Sequence, residues 1–182
     1  MSPATGKLSF LTQQATMALK HLTLVRHAKS SWKHPELADK DRPLNNRGKR
    51  DAPVMGSRLA NSGYRPDLIL SSPANRALTT AQVIAQAVGF DPADIVVDEQ
   101  IYGAGVAGLI QLLQATDDRI ERAMLFGHNP ELTALVNRLA RVTLDNLPTC
   151  GMAKLRFELD SWVGLGSELA VEADIDYPKR EH

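Results

Sequence analysis

The stretch "LTLVRHAKSSW", from Leu22 to Trp32, begins as a β-strand and ends as a polar loop. Its apolar first half predicts a short buried strand over residues 21–25. Arg26 and His27 stand side by side where the strand gives way to the loop. A cation beside an imidazole is also common in ordinary surface loops, so the meaning of this pair depends on the rest of the chain.

Two other strands end in a similar way. "PDLILSS" (Pro66 to Ser72) leads into a turn and a helix whose first residues include Arg76. "RAMLFG" (Arg122 to Gly127) is followed at once by His128. Each of the three clearest strands therefore runs into a turn that carries a cationic or imidazole side chain.

Helical patterns alternate with these strands. They cover residues 47–63, 74–89, 106–116 and 130–141. Pro53 predicts a late start or a kink in the first of them, and Asn129 with Pro130 predicts the cap and first turn of the last. "MAKLRFELD" and "ELAVEAD", near the end, alternate apolar and polar residues like strands with one wet face. The predicted fold is α/β, with a mostly parallel sheet flanked by helices and the late strands as an antiparallel addition.

Composition limits the classes of partner. The chain has 182 residues, 43% of them hydrophobic, which predicts one domain over residues 21–182. Lys plus Arg and Asp plus Glu number 21 each, so no general attraction to nucleic acid or membrane is expected. A lone Cys150 and the lack of a long apolar run favour a soluble, cytoplasmic protein. Residues 1–20, which lack acids, are interpreted as a flexible extension, with an organellar targeting segment as the alternative.

The three junctions are expected to meet. The carboxyl ends of parallel strands form the ligand crevice of an open α/β sheet, so two arginines and two histidines would share one pocket. Like charges in a poorly solvated cleft repel unless an anion occupies it, and a phosphoryl group fits such a pocket. Arg76 would also lie in the first turn of a helix, where backbone N–H groups favour an anion.

The blocks "LVRHAKSSW", "DRPLNNRG", "LILSSPANRALTTA" and "LFGHNPEL" resemble the signature blocks of the histidine phosphatase superfamily. The resemblance spans about residues 22–150 and is greatest to its short SixA-type phosphohistidine phosphatases. Ala28 follows the histidine where much of the superfamily has glycine, as is common in the SixA-type branch. The resemblance implies a phosphoglycerate mutase-like three-layer sandwich, compact and without a large lid.

The resemblance also implies a mechanism. His27 would be the nucleophile that forms a phosphohistidine intermediate, while Arg26, Arg76 and His128 would bind the phosphoryl oxygens. No metal or other cofactor is expected. His128 would need to be protonated and His27 unprotonated, so we expect their surroundings to push the two pKa values apart.

Further candidates are less specific. Glu99, in "DEQIYGAG", resembles the general acid of the mutases, with an exposed turn carboxylate as the alternative. Asp39 and Asp41 are other candidates, although Asp41 is expected to orient Arg42 or its own loop. Lys29 and Ser30 would extend the phosphate site or lie solvated.

One alternative nucleophile and the two tryptophans remain to be interpreted. Cys150 and Arg156 have the spacing of cysteine-dependent phosphatases, but the residues between them alternate like a strand. Trp32 and Trp162 are interpreted as packing residues rather than stacking platforms.

The substrate follows from the expected absence of a lid. Ordinary strand and helix patterns are expected to fill the chain between His27 and His128, which favours an open site for a phosphohistidine on a protein surface. The leading interpretation is therefore a protein phosphohistidine phosphatase acting on a phosphorylated protein. A small-molecule phosphomonoesterase or a mutase is the alternative, and a phosphate-binding module without turnover is the non-enzyme alternative.

Overall fold

The computed structural model describes residues 18–180, and their strands form a single mixed sheet. The strands are β1 (Leu19–Arg26), β2 (Leu68–Ser71), β3 (Val96–Val97), β4 (Arg122–Gly127), β5 (Met152–Glu158) and β6 (Glu172–Asp176). The α-helices are α1 (Asn46–Asn61), α2 (Asn75–Ala87), α3 (Gly105–Gln114) and α4 (Glu131–Ala140). The expected α/β fold, a phosphoglycerate mutase-like sandwich, is confirmed.

The sheet has the order β3-β2-β4-β1-β5-β6. The first four strands in that order are parallel, whereas β5 pairs antiparallel with β1, and β6 antiparallel with β5. The predicted antiparallel addition at the end of the chain is therefore confirmed. No helix within residues 18–180 combines the length and apolar character that a membrane crossing requires.

Alternating side chains of the strands supply two cores, one on each face of the sheet. Leu22 and Leu24 of β1 pack with residues of α3 and α4, such as Leu113 and Leu135. Val25 faces the opposite way and belongs to the core that includes residues of α1 and α2. This two-sided burial gives the three layers, and it explains why β2 and β4 are almost continuously apolar.

Several boundaries differ from the sequence-based predictions. β1 begins at Leu19, because Leu19 and Lys20 pair with β5, so these two residues do not belong to the predicted extension. Residues 1–17 of that extension lie outside the described part of the chain. β6 runs over Glu172–Asp176 rather than over "ELAVEAD", and the two-residue β3 was not predicted.

The prediction of a late start or kink for the first helix is wrong on the start. α1 begins at Asn46, and the Asn45 side chain accepts a hydrogen bond from the Gly48 amide. Pro53 lies inside the helix, as its eighth residue. A proline at that depth lacks one N–H whose partner would be in the first turn, and the Asn45 cap gives that turn its own anchor.

The chain between β1 and α1 was expected to consist of ordinary strand and helix patterns, and there the prediction is wrong. Residues 27–45 form a long loop whose only helical turn is a 3₁₀ turn at Asp39–Asp41. An isolated bridge between Ser30 and Leu44 closes the loop on itself. Gly48 fits tightly under it, since a Cβ atom at that position would lie 2.3 Å from the Lys29 carbonyl oxygen. We call residues 27–45 the site loop.

Candidate active site

The register of the three central strands brings their carboxyl ends together. Arg26 pairs with Gly127, and the His27 amide donates to the Gly127 carbonyl oxygen at 3.1 Å. On the other side of β4, the Ser72 amide donates to the Phe126 carbonyl oxygen at 3.0 Å. The residues that follow β1, β2 and β4 therefore leave the sheet at one level, as the sequence predicts for parallel strands.

The two histidines lie next to each other at this edge. Their ring centroids are 5.2 Å apart, with the ring planes inclined by 52°. The His27 Nδ1 atom lies 2.8 Å from the carbonyl oxygen of Ala28. Because a carbonyl only accepts, this contact assigns the proton to Nδ1 and leaves the lone pair on Nε2. The Ala28 amide is itself fixed by the Thr80 hydroxyl at 3.0 Å.

Burial keeps both imidazoles neutral. It lowers the pKa of His27 to about 4, and the nearby guanidinium of Arg76 also lowers it. Burial likewise lowers the pKa of His128 to about 3, with further contributions from His27 and Arg76. The prediction that the surroundings push the two pKa values apart, with His128 protonated, is therefore wrong for this arrangement, since both shift in the same direction.

Arg26 is anchored by the segment that precedes β5. Its Nη1 atom donates to the carbonyl oxygen of Leu147 at 2.8 Å and to the side chain of Asn146 at 3.1 Å. Asn129 donates to the same two oxygen atoms, at 3.1 and 3.0 Å. The prediction that Asn129 caps α4 is thus wrong, because its side chain is held in this cluster and Pro130 occupies the cap position.

Arg76 is anchored by Asp39 of the site loop. It lies in the first turn of α2, as predicted, and is buried. Its guanidinium donates to Asp39 twice, to the backbone oxygen at 2.6 Å and to the carboxylate at 2.9 Å. The Asp39 carboxylate also accepts from Arg42 at 3.0 Å and from the Tyr102 hydroxyl at 2.6 Å. These contacts, led by the one with Tyr102, lower the pKa of Asp39 to about 2.

Asp39, rather than Asp41, therefore orients Arg42. Sequence patterns did not assign this role to Asp39, because a carboxylate three residues before an arginine has no fixed partner until the loop is folded. Ser72 was also missed: its hydroxyl lies 2.8 Å from His128 Nε2. The position of Ser72 directly after β2 is the sequence feature that could have indicated its role in the site.

Three of the four predicted residues carry a buried nitrogen atom without a hydrogen-bond partner among the described residues. These atoms are Arg26 Nε, Arg76 Nε and His128 Nδ1. Buried polar groups are almost always paired, and an unpaired one is costly. The concentration of three such nitrogens at one edge of the sheet indicates a place suited to the oxygen atoms of an anion.

Lys29 and Ser30 have different surroundings. Lys29 is exposed, and its backbone oxygen accepts from the Asn45 amide at 2.9 Å. Ser30 is buried, and its hydroxyl accepts from Arg42 Nη1 at 3.1 Å. Ser30 thus supports the guanidinium of Arg42.

Glu99 lies at the rim of the site. It is exposed and forms an ion pair with Lys40, with 2.6 Å between Oε2 and Nζ. The Lys40 ammonium lies 4.8 Å from the centre of the Tyr102 ring, and that ring meets His128 edge-on at 5.4 Å. Glu99 is therefore connected to the imidazoles through two intervening side chains.

The tryptophans differ from each other. Trp162 is fully buried, which confirms its predicted packing role. Trp32 is 74% exposed and stacks on Arg42, whose guanidinium carbon lies 3.6 Å from the ring centroid. The packing interpretation of Trp32 is wrong, since the indole covers a buried guanidinium and leaves most of its own surface in solvent.

The rival cysteine motif is wrong. Cys150 is fully buried, and burial raises the pKa of its thiol to about 12. Arg156 lies on β5 in an ion pair with Glu172, not in a phosphate-binding loop before a helix. The Cys150 amide instead donates to the backbone oxygens of Arg26 and His27 and so supports their turn.

Among residues 18–180, no group of three or more His, Cys, Asp or Glu side chains is arranged to hold a metal ion.

Comparison with known proteins identifies the family. The family model of the histidine phosphatase superfamily (branch 1) matches residues 22–102. An uncharacterized chloroplastic protein of Arabidopsis thaliana is 32% identical over 170 residues, which cover 88% of this chain and 77% of the relative. A structure from Agrobacterium tumefaciens that carries the name of the phosphohistidine phosphatase SixA has 34% identity and a TM-score of 0.68. The match covers 75% of this chain and 90% of the Agrobacterium tumefaciens chain.

A structure of the protein histidine phosphatase SixA complexed with tungstate shares the fold. It has a TM-score of 0.70 and 19% identity, over 86% of this chain and 94% of the other. This chain belongs to the histidine phosphatase superfamily, and it is a phosphatase with a histidine nucleophile.

Proposed function

We propose that this member of the histidine phosphatase superfamily is a SixA-type protein phosphohistidine phosphatase, with His27 as its nucleophile. The observation that carries the proposal is the state of His27. Its Nδ1 atom is tied to the Ala28 carbonyl oxygen, and its pKa is lowered to about 4 by burial, so Nε2 has an available lone pair at neutral pH. An imidazole in this state is ready to attack phosphorus.

In the first step, Nε2 of His27 forms a bond to phosphorus as the bond from phosphorus to the substrate nitrogen breaks. A substrate imidazole that is protonated on its other nitrogen departs as a neutral molecule. The phosphoryl group is then carried by His27, whose ring keeps its proton on Nδ1. In the second step, water attacks phosphorus, and His27 returns to its neutral form as dihydrogen phosphate leaves.

Charge on the transferred group would be balanced by Arg26, Arg76 and His128. The two guanidinium groups are held by backbone and side-chain oxygens, so little reorganisation is needed when the group binds. A phosphoryl dianion beside His128 favours its protonated form and so raises its pKa from the lowered value. His128 would thus gain a proton when substrate binds, while His27 stays neutral.

A phosphohistidine suits this site better than an alkyl phosphate. The leaving imidazole is a weak base, so its departure requires little help from an acid. Two of the carboxylates considered as acids are engaged in ion pairs: Asp39 with Arg76 and Arg42, and Glu99 with Lys40. The exposed rim also leaves room for a protein surface to approach.

The test is a comparison of substrates with the purified chain. A phosphohistidine-bearing protein should lose its phosphate with a kcat/KM that exceeds that for p-nitrophenyl phosphate, which in turn should exceed that for an alkyl phosphate. Treatment with a chelator should leave all three rates unchanged, because none of the proposed steps requires a metal. An alkyl or sugar phosphate as the best substrate would instead favour a small-molecule phosphomonoesterase. Phosphate binding without turnover of any of them would favour a binding module.

A further inference from the structure

A basic surface is formed by the site loop and the start of α1. We define the basic rim as Trp32, Lys33 and Lys49 together with the pocket of about 370 Å³ that Lys33 and Lys49 line. The same pocket is lined by His34, Arg47 and the backbone at the start of α1. None of these residues belongs to the proposed phosphate site.

The charges of the basic rim are not balanced within the described chain. Neither Lys33 nor Lys49 forms an ion pair there, whereas His34 pairs with Glu36 and Arg47 with Asp51. Two ammonium groups thus remain free at one pocket in a chain whose formal net charge is zero. A negatively charged ligand would reduce their mutual repulsion, and charge of this kind accelerates the encounter of partners.

The shape of the basic rim favours a polypeptide over a small anion. Lysines on long, exposed side chains bind as point charges and do not form a rigid cradle for one phosphate. Trp32 is different, because its ring is held against Arg42, and Arg42 is held by Ser30 and Asp39. A fixed, largely exposed tryptophan, directly before Lys33 in the chain, is typical of the anchor of a protein–protein interface.

The basic rim lies within reach of His27. Lys33 follows His27 by six residues in the same loop, and six residues of extended chain span at most about 21 Å. Lys49 is next to Gly48, which packs against the Lys29 backbone. A substrate segment of similar length, starting from the phosphorylated residue, could therefore reach the pocket.

We propose that the basic rim docks an acidic segment of the phosphoprotein substrate that flanks its phosphorylated residue. This deepens the proposed function and rests on it, because it adds a second contact for the same substrate. Carboxylates of the segment bind Lys33 and Lys49, and an apolar or aromatic side chain of the segment packs on Trp32. The docking raises the local concentration of the phosphoryl group at His27 without taking part in the chemistry.

Binding is measured apart from turnover. A fluorescent, unphosphorylated peptide rich in Glu and a matched peptide with Gln in place of Glu are titrated with the full chain at low and high salt. The acidic peptide should bind more tightly, and Lys33→Ala/Lys49→Ala should weaken its binding by about fivefold, the scale of two exposed charge pairs. Lys179→Ala, which removes an exposed charge outside the basic rim, should leave the binding unchanged.

Trp32 supplies an independent signal. The chain has two tryptophans, and Trp162 is fully buried, so the change in emission on adding the acidic peptide should come from Trp32. Trp32→Phe should remove that change. Circular dichroism of each variant checks that the fold is retained.

Turnover then connects the basic rim to the substrate. Two phosphohistidine peptides that differ only in acidic or neutral flanks are compared by kcat/KM. The acidic peptide should be preferred by the wild-type chain, and Lys33→Ala/Lys49→Ala should reduce that preference by about fivefold.

The outcomes separate the two proposals. Equal turnover of both peptides, with no preference in binding, would overturn the docking site and leave the phosphatase function intact. Binding of the acidic peptide that depends on Lys33 and Lys49, without turnover of any phosphohistidine, would support the docking site and reject the proposed substrate. Tighter binding of a single-stranded oligonucleotide of equal charge, with the same dependence on the lysines, would assign the surface to nucleic acid and overturn the proposal.

Discussion

The strand ends and the site loop contribute to the same site in different ways. Arg26, His27 and His128 occupy their places because β1 and β4 pair in a fixed register and both run out at the same level. In the site loop, Asp39 and Arg42 occupy theirs because side chains far apart in sequence meet, as Asp39 does with Arg76.

The difference teaches what each region controls. Backbone pairing places Arg26, His27 and His128, so these positions are robust to changes in side chains nearby. The site loop depends on a chain of contacts in which Trp32 stacks on Arg42, Arg42 binds Asp39, and Asp39 binds Arg76. Changes at the strand ends should therefore abolish chemistry, while changes in the loop should shift the orientation of Arg76 and the access of substrate.

The largest effect is expected at the end of β1. His27→Ala should lower kcat/KM for every substrate by about 10³-fold or more, because it removes the proposed nucleophile. After rapid quenching under alkaline conditions, mass spectrometry of the wild type should find the phosphoryl group on His27. His34→Ala, a change of an exposed imidazole in the site loop, is the matched control and should retain activity on p-nitrophenyl phosphate. A phosphoryl group attached to Cys150 instead would contradict the prediction.

The second prediction links the two regions through Arg76. Arg76→Gln should reduce kcat/KM by about 10²-fold, the usual effect of removing one donor to the developing charge. It should also raise the pKa of His27 from about 4, because the Arg76 guanidinium lowers it. Since His27 must be neutral to attack, the acid limb of the kcat/KM profile should move to higher pH.

The control for this profile is Arg138→Gln, an exposed guanidinium on α4. Its acid limb should coincide with that of the wild type. An unchanged limb in Arg76→Gln as well would mean that burial alone sets the pKa of His27.

These cases show how far the sequence could predict the site. Each strand-end residue follows a short apolar run, so its position could be derived from local patterns and the rule for parallel strands. The role of Asp39 could not, because it depends on contacts with Arg76 and Tyr102 that are 37 and 63 residues away. The same limit applies to the pKa of His128, since it is governed by burial and by neighbours that only the folded chain brings close.

The third prediction concerns the packing contact between the site loop and α1. Gly48→Ala would bring a methyl group to 2.3 Å from the Lys29 carbonyl oxygen, so the loop must move. Overpacking of this kind should lower the melting temperature by about 5 °C. Displacement of the turn after His27 should reduce kcat/KM by about tenfold.

Gly103→Ala is the matched control, because a Cβ atom there would have no neighbour within 4 Å. It should change neither the melting temperature nor the activity. If Gly48→Ala behaved in the same way, the site loop would not depend on this contact.

The smallest effect is expected at Glu99, whose variant tests whether the exposed ion pair of Glu99 and Lys40 takes part in the chemistry. A general acid must reach the leaving atom, and its help matters most for a strongly basic leaving group such as an alkoxide. Glu99 is exposed and paired with Lys40, and Tyr102 lies between that pair and His128. We therefore expect Glu99→Gln to change kcat/KM by less than about twofold, the scale of a lost surface ion pair, on an alkyl phosphate, p-nitrophenyl phosphate and phosphohistidine alike.

Lys40→Met should give the same small change, because it breaks the same ion pair from the other side. A loss that is confined to the alkyl phosphate in Glu99→Gln, and absent in Lys40→Met, would instead make Glu99 the proton donor. The catalytic residues would then include Glu99 as well as those at the strand ends.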